Sequence, residues 1–171
     1  MRFFLLIAFI FPSVGSICQS SNDYYVTNAN DTMFCEIVQM SSKRVVVVKN
    51  GEKKKFKPND IKFFTIKGDK DYKIVSLAND NNNFYREVIN GKLSLYHVYT
   101  NHPYDRSAAV LPVMVKNGKI VYLNVVNPRK RIGHLIADCP DLYKEWIDGN
   151  KYSINDKEAI VNAYNDCMSK K

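Results

Sequence analysis

The sequence predicts an α+β fold, predominantly β: an antiparallel meander of about eight to ten strands, forming a small barrel or a sandwich, with two or three C-terminal helices. Three observations carry this. Asn-Gly pairs stand at 50–51, 90–91 and 117–118, each between segments rich in β-forming residues. The stretch Arg44 to Phe56 contains four consecutive valines, which are too stiff at χ1 to prefer a helix. Apolar residues at helical spacing occur only after Asn127.

The chain opens with Met1-Arg2, an apolar run from Phe3 to Phe11, then Pro12, Ser13, Gly15 and Ser16. Charge, apolar stretch and small-residue end make residues 1–18 a secretory signal, and the run is too short for a bilayer core, which needs roughly 20 residues. Residues 19–126 are read as the antiparallel β domain and residues 127–171 as a helical segment packed on it. Ile17 is too large and branched to precede a lipid-modified cysteine, so ordinary cleavage near Ser16 to Ser20, removing Cys18, is favoured over a lipoprotein.

The chain has 171 residues and a net charge of +8, and loss of Arg2 with the signal lowers it to +7. Export to the periplasm or the medium takes a basic chain away from nucleic acid, so no nucleic-acid partner is expected. Basic charge there fits another envelope protein, an anionic lipid or polysaccharide surface, or simple solubility. Lysines on strands also block edge-to-edge pairing.

Tyr24 to Thr27 and Thr32 to Val38 read as a strand pair across the turn Asn28-Ala29-Asn30-Asp31, with Cys35 as a small buried residue in the second strand. A type I′ turn at Asn50-Gly51 pairs Val45 with Phe56, Val47 with Lys54 and Lys49 with Glu52 on one side, and Val46 with Lys55 and Val48 with Lys53 on the other. The cluster Lys53, Lys54, Lys55 and Lys57 therefore begins as a half-wet sheet face with lysine stems along apolar surface. Pro58 ends that strand, Ile61 to Ile66 and Tyr72 to Leu77 are strands, and Ala78 to Asn83 reads as a mobile polar loop. The same turn at Asn90-Gly91 would set Val88 against Leu93, Arg86 against Leu95 and Phe84 against His97, a lone histidine expected in the core. At Asn117-Gly118 it pairs Val115 with Ile120, Met114 with Val121 and Val113 with Tyr122. Both faces of that hairpin are apolar, so one must be covered, and the C-terminal segment is the available cover.

In that segment Asn127-Pro128 reads as a cap and first turn, with Ile132, Leu135 and Ile136 inward. Pro140 opens a second helix with Leu142, Trp146 and Ile147 inward, ending at Gly149. Asn155 and Glu158 suggest a capping box for a third, striped with Ile160, Val161, Tyr164, Cys167 and Met168. If the last two helices form an antiparallel hairpin, Cys139 and Cys167 meet, and export permits a disulfide between them.

Between Thr100 and Ala108 lies the longest loop with reactive side chains, and His102, Tyr104, Asp105 and Arg106, beside Ser107, form a tentative binding loop. A Ser/His/Asp set within one loop is not a triad, whose members come from separate elements that hold their geometry. The sequence offers no nucleophile with a separated base, no metal-ligand spacing and no cofactor fingerprint.

Several stretches together, Tyr25-Val26-Thr27 with Asp31-Thr32, Phe56 to Ile61, Asn90 to Tyr96, Asp138-Cys139-Pro140, and Tyr164-Asn165 with Cys167, resemble an uncharacterised family of small exported proteins, a domain of unknown function, from Bacteroidota. The resemblance implies export and a compact β-rich fold, and brings no activity. Two functional classes follow: a non-enzymatic envelope protein that binds or builds, through its lysine-bearing face or the Thr100 to Ala108 loop, or a β-barrel carrying a small apolar ligand against aromatics such as Tyr96 and Phe84.

Overall fold

A computed structural model describes residues 23–68, 71–101, 108–124, 126–148 and 151–170. The expected signal and Cys18 lie outside them. Among the described residues eleven strands precede three helices. The strands are β1 (Tyr24–Thr27), β2 (Thr32–Phe34), β3 (Glu36–Ser41), β4 (Arg44–Lys49), β5 (Glu52–Phe56), β6 (Ile61–Ile66), β7 (Tyr72–Leu77), β8 (Asp80–Ile89), β9 (Leu93–Asn101), β10 (Ala108–Lys116) and β11 (Lys119–Tyr122). The helices are α1 (Pro128–Ile136), α2 (Pro140–Asp148) and α3 (Lys157–Ser169).

Eight strands form an antiparallel sheet in the order β11-β10-β9-β8-β7-β6-β1-β2, and β3-β4-β5 form a second, three-stranded sheet. The end strands β11 and β2 do not pair, so the barrel does not close. The large sheet is a meander from β6 onward, and the small sheet is an excursion made between β2 and β6.

Register assigns the faces. Tyr25, Phe64, Ile74 and Phe84 share one face and pack against Val45 and Val47 of the small sheet, one layer on another. Further along the same face, Leu95, Met114 and Val121 pack under Ile132, Ile136, Trp146, Ile160 and Tyr164 of the helices. The helices thus roof the third hairpin, as its two apolar faces require. The opposite face buries Val75, Tyr85, Tyr96, Val98 and Val113. There the Tyr85 and Tyr122 hydroxyls meet at 2.9 Å although β9 and β10 lie between their strands, so the sheet curls inward across β8 to β11.

Two hairpins have the expected register. Asn50 and Gly51 both have positive φ, as do Asn117 and Gly118, and every cross-strand pair read from those turns is present. The middle hairpin differs. Neither Asn90 nor Gly91 has positive φ; Arg86 pairs with His97, Glu87 with Tyr96 and Ile89 with Leu95, with a bulge at Val88. The stretch before β9 is tied to α3 instead: Asn165 donates Nδ2–H to the Leu93 carbonyl and accepts the Leu93 N–H through Oδ1, both at 2.9 Å. A Cβ on Gly91 would lie 2.4 Å from Asn165 Nδ2, so glycine serves close approach here rather than turn conformation.

The expected strand Thr32 to Val38 is two strands in different sheets, broken at Cys35. Asp23 explains the break: its carbonyl accepts the Cys35 N–H at 3.0 Å, while its carboxylate accepts the N–H of Ile37 at 3.2 Å and of Lys67 at 2.8 Å. The backbone leaves the β1 ladder and is caught by a buried side chain instead. The expected loop Ala78 to Asn83 is mostly strand, because Asp80 fixes it. Its carboxylate accepts from the Asn82 N–H at 2.8 Å, Asn83 Nδ2 at 3.0 Å, Tyr122 Oη at 3.4 Å and Tyr85 Oη, and Asn79 Nδ2 donates to the Gly118 carbonyl at 2.8 Å.

The first two helices start at the expected prolines and the third at Lys157, but the caps differ. Asn127 is left-handed and Asp156, not Asn155, precedes α3; neither side chain caps its helix. The Asp156 carboxylate instead accepts the Ser153 N–H at 2.9 Å. Leu142 and Trp146 point inward, whereas Ile147 is exposed, because the inward stripe of α2 is filled by those two residues. Ile160, Val161 and Tyr164 are buried, with Cys167 and Met168 partly so. Cys139 and Cys167 form the disulfide.

Candidate functional site

The two covers of the large sheet do not meet, and the strip between them is the candidate site. On one side stands the β3–β4 turn, held to the large sheet by the Phe84 N–H donating to the Ser42 carbonyl. On the other stands the start of α3. The floor between carries Tyr72, Arg86, His97 and Tyr99, which lie on one face because Arg86 pairs with both Ile74 and His97.

Arg86 is the centre of this floor. Its Nη1 donates to Tyr99 Oη at 2.8 Å, and its guanidinium lies 4.1 Å from the centroid of the Tyr72 ring. It is half-buried, and among the described residues no carboxylate pairs with it. Because Tyr99 accepts from Arg86, its own O–H is left to donate outward, with a positive charge behind it.

Toward the β3–β4 turn the floor opens into a cleft of about 960 Å³ lined by Lys43, Arg44, Gln39, Asn83, Tyr99 and Thr100, among others, with no carboxylate among the described residues of its lining. Two other polar groups there are committed: Ser41 Oγ donates to the Arg44 carbonyl and Asn83 Nδ2 to Asp80. Toward α3 the floor meets a smaller cleft of about 460 Å³, lined by Leu95, His97, Val110, Pro112 and the Asn155 to Ala159 backbone and side chains.

His97 is therefore not a core residue but a half-buried one at the edge of this strip. Burial lowers its pKa, and the Arg86 charge lowers it further, against a smaller opposing effect of Glu158. Burial raises the pKa of Asp80, but hydrogen bonds from Tyr85, Asn83, Asn82 and Tyr122 outweigh it and hold the carboxyl below its usual value. Asp138 follows the same pattern: burial opposes, while Lys116, at 2.8 Å, and Tyr164 Oη, at 2.9 Å, hold it down.

A group whose folded pKa lies below its unfolded value contributes stability that is present above the unfolded pKa and lost as pH falls through the folded one. Unfolding free energy should therefore fall first as pH drops below about 6.5, through His97, and again below about 4, through Asp80 and Asp138. Urea titrations at stepped pH check this: His97→Gln should flatten the upper step and leave the lower one, and a wild-type curve flat between pH 7 and 5 would contradict it.

Of the residues singled out from sequence, His102, Tyr104, Asp105 and Arg106 lie outside the described residues; β9 and β10 close on them from either side, to Asn101 and from Ala108. Cys35 is buried, and burial first, then Asp23, pushes its thiol up to about 11, so it is no nucleophile at neutral pH. Lys53, Lys54, Lys55 and Lys57 are exposed. Phe84 and Tyr96 lie on opposite faces of the sheet and line no common cavity. No group of three His, Cys, Asp or Glu able to hold a metal occurs among the described residues, and no described helix is long and apolar enough to cross a membrane. Arg86, Tyr99 and Tyr72 were not legible as a set, because their juxtaposition depends on the shifted β8–β9 register. Comparison with protein-family models, with curated proteins and with solved structures finds no match, so the cleft and the charge around it carry the functional reading.

Proposed function

We propose that this chain is a non-enzymatic, exported binding module that engages an anionic partner through the cations of its three-stranded sheet. One observation carries the reading. Lys43, Arg44, Lys49, Lys53, Lys54, Lys55 and Lys57 are all exposed on β3–β5 and their turns, against Glu36 and Glu52, and none of them is in an ion pair among the described residues. Protecting the open edges needs charge on the edge strands β3 and β5; here cations also occupy the turn between β3 and β4 and both flanks of the Asn50-Gly51 turn. Such a field concentrates a polyanion and makes its binding salt-dependent. The alternative of a barrel carrying a small apolar ligand finds less support, since the sheet is open and Phe84 and Tyr96 face opposite ways.

The test is retention of the purified chain on immobilised polygalacturonate and on phosphatidylglycerol vesicles at low and high salt. Binding to one or both at 50 mM salt, at least about tenfold weaker at 300 mM, is expected. Lys53→Glu with Lys54→Glu and Lys55→Glu should abolish it while leaving the thermal midpoint nearly unchanged. Binding that ignores both salt and these substitutions, or no binding to either probe, would overturn the reading.

A further inference from the structure

We infer that the cleft between the β3–β4 turn and β9 seats a carboxylate-bearing sugar unit of an acidic saccharide chain, an inference that rests on the anionic partner proposed above and gives it a chemical class. Among the described residues the cleft is lined by Lys43 and Arg44 with no acidic residue, so its charge favours an anion. Its volume of about 960 Å³ falls in the range of roughly 300–1,000 Å³ typical of small-ligand sites. A flat bilayer cannot enter a recess between two sheets, whereas a single polymer chain can.

The remaining lining matches a sugar rather than a bare anion. Gln39 offers an amide, which both donates and accepts, as sugar hydroxyls do. Tyr99 offers a donor at a fixed position: Arg86 donates to its oxygen at 2.8 Å and is itself held 4.1 Å from the Tyr72 ring centroid, so the phenol is braced from behind with its proton directed to an incoming acceptor. The wall is fixed as well, through the backbone bond from Phe84 to Ser42 and the Ser41 hydroxyl bond to the Arg44 carbonyl. A preorganised donor set loses little on binding.

The experiment is calorimetric titration of the purified full chain with trigalacturonate, with maltotriose as the neutral sugar and inorganic phosphate as the bare anion. Trigalacturonate should bind, and the other two should bind at least about tenfold more weakly. Tyr99→Phe, which removes one donor to an anionic acceptor and keeps the ring, should weaken binding about tenfold. Lys43→Ser with Arg44→Ser should do so by at least as much. Lys53→Ser with Lys55→Ser, away from the cleft, should change it less than about twofold while reducing retention on the polymer. Unchanged affinity in both Tyr99→Phe and the Lys43/Arg44 variant, or phosphate binding as tightly as trigalacturonate, would overturn the inference. Polymer retention or vesicle binding without any trigalacturonate binding would overturn it and leave the proposed function standing; no binding to trigalacturonate, polymer or vesicles would overturn both.

Discussion

Trp146→Ala should lower the unfolding free energy by about 3–5 kcal/mol, the range for deleting a large buried aromatic. Trp146, on α2, is fully buried in the cluster that joins the helices to Leu95, Met114 and Val121 of the sheet. The ring also completes a small circuit. Its Nε1 donates to the Arg129 carbonyl at 2.9 Å; Arg129 returns Nε–H to the Trp146 carbonyl at 3.3 Å, reaches the Tyr152 carbonyl at 3.0 Å, and lies 4.8 Å from the indole. Removing the indole opens a cavity and leaves the Arg129 carbonyl without its donor. Trp146→Phe separates the two effects, since it refills most of the space and loses only the N–H. Urea denaturation followed by circular dichroism gives both values, and an alanine variant within about 1 kcal/mol of wild type would mean that the helices contribute little to the fold.

Breaking the Cys139–Cys167 bridge should cost roughly 3–4 kcal/mol, from the chain entropy released when a loop of 28 residues opens in the unfolded state. The bridge joins the turn before α2 to the last turn of α3 and so encloses α2 and most of α3. Cys139→Ser with Cys167→Ser, or reduction of the native chain, should lower the urea midpoint by the same amount, because Cys35 is buried and adds no second bridge. Reduction that leaves the midpoint unchanged would show that the helical cover is held by packing alone. The serine pair should remain folded, since Lys116 still ties β10 to the Leu135 carbonyl at 2.6 Å and to Asp138.

What was legible in the sequence was local. The turns at Asn50-Gly51 and Asn117-Gly118 set their own geometry, so every pair beside them could be read without knowing the rest of the chain. The chain also showed that the third hairpin needed a roof and that two late cysteines would meet. What could not be read was decided at a distance. Asn90-Gly91 carries the same dipeptide, but β8 is bulged beside it and Leu93 is bonded through its N–H and carbonyl to Asn165, 72 residues away on α3. Cys35 sits where a strand looks continuous until Asp23 catches the next N–H groups, and the polar run at 78–83 becomes a strand because Tyr85 and Tyr122 bring their hydroxyls to Asp80. The candidate site divides in the same way. Its lysines are plain in the sequence, whereas Arg86 meets Tyr99 in the bulged β8–β9 register.

The small sheet leaves the large one after β2 and rejoins it at β6, which lies beside β1. Its inner side, Val45 and Val47, is bound into the common core, whereas Lys53 and Lys55 on its outer side are exposed. Such an arrangement decouples inheritance of architecture from inheritance of preference. Point changes at Lys53, Lys55 or Arg44 could retune what the molecule adheres to, from one lineage to the next, with the meander beneath left as it was.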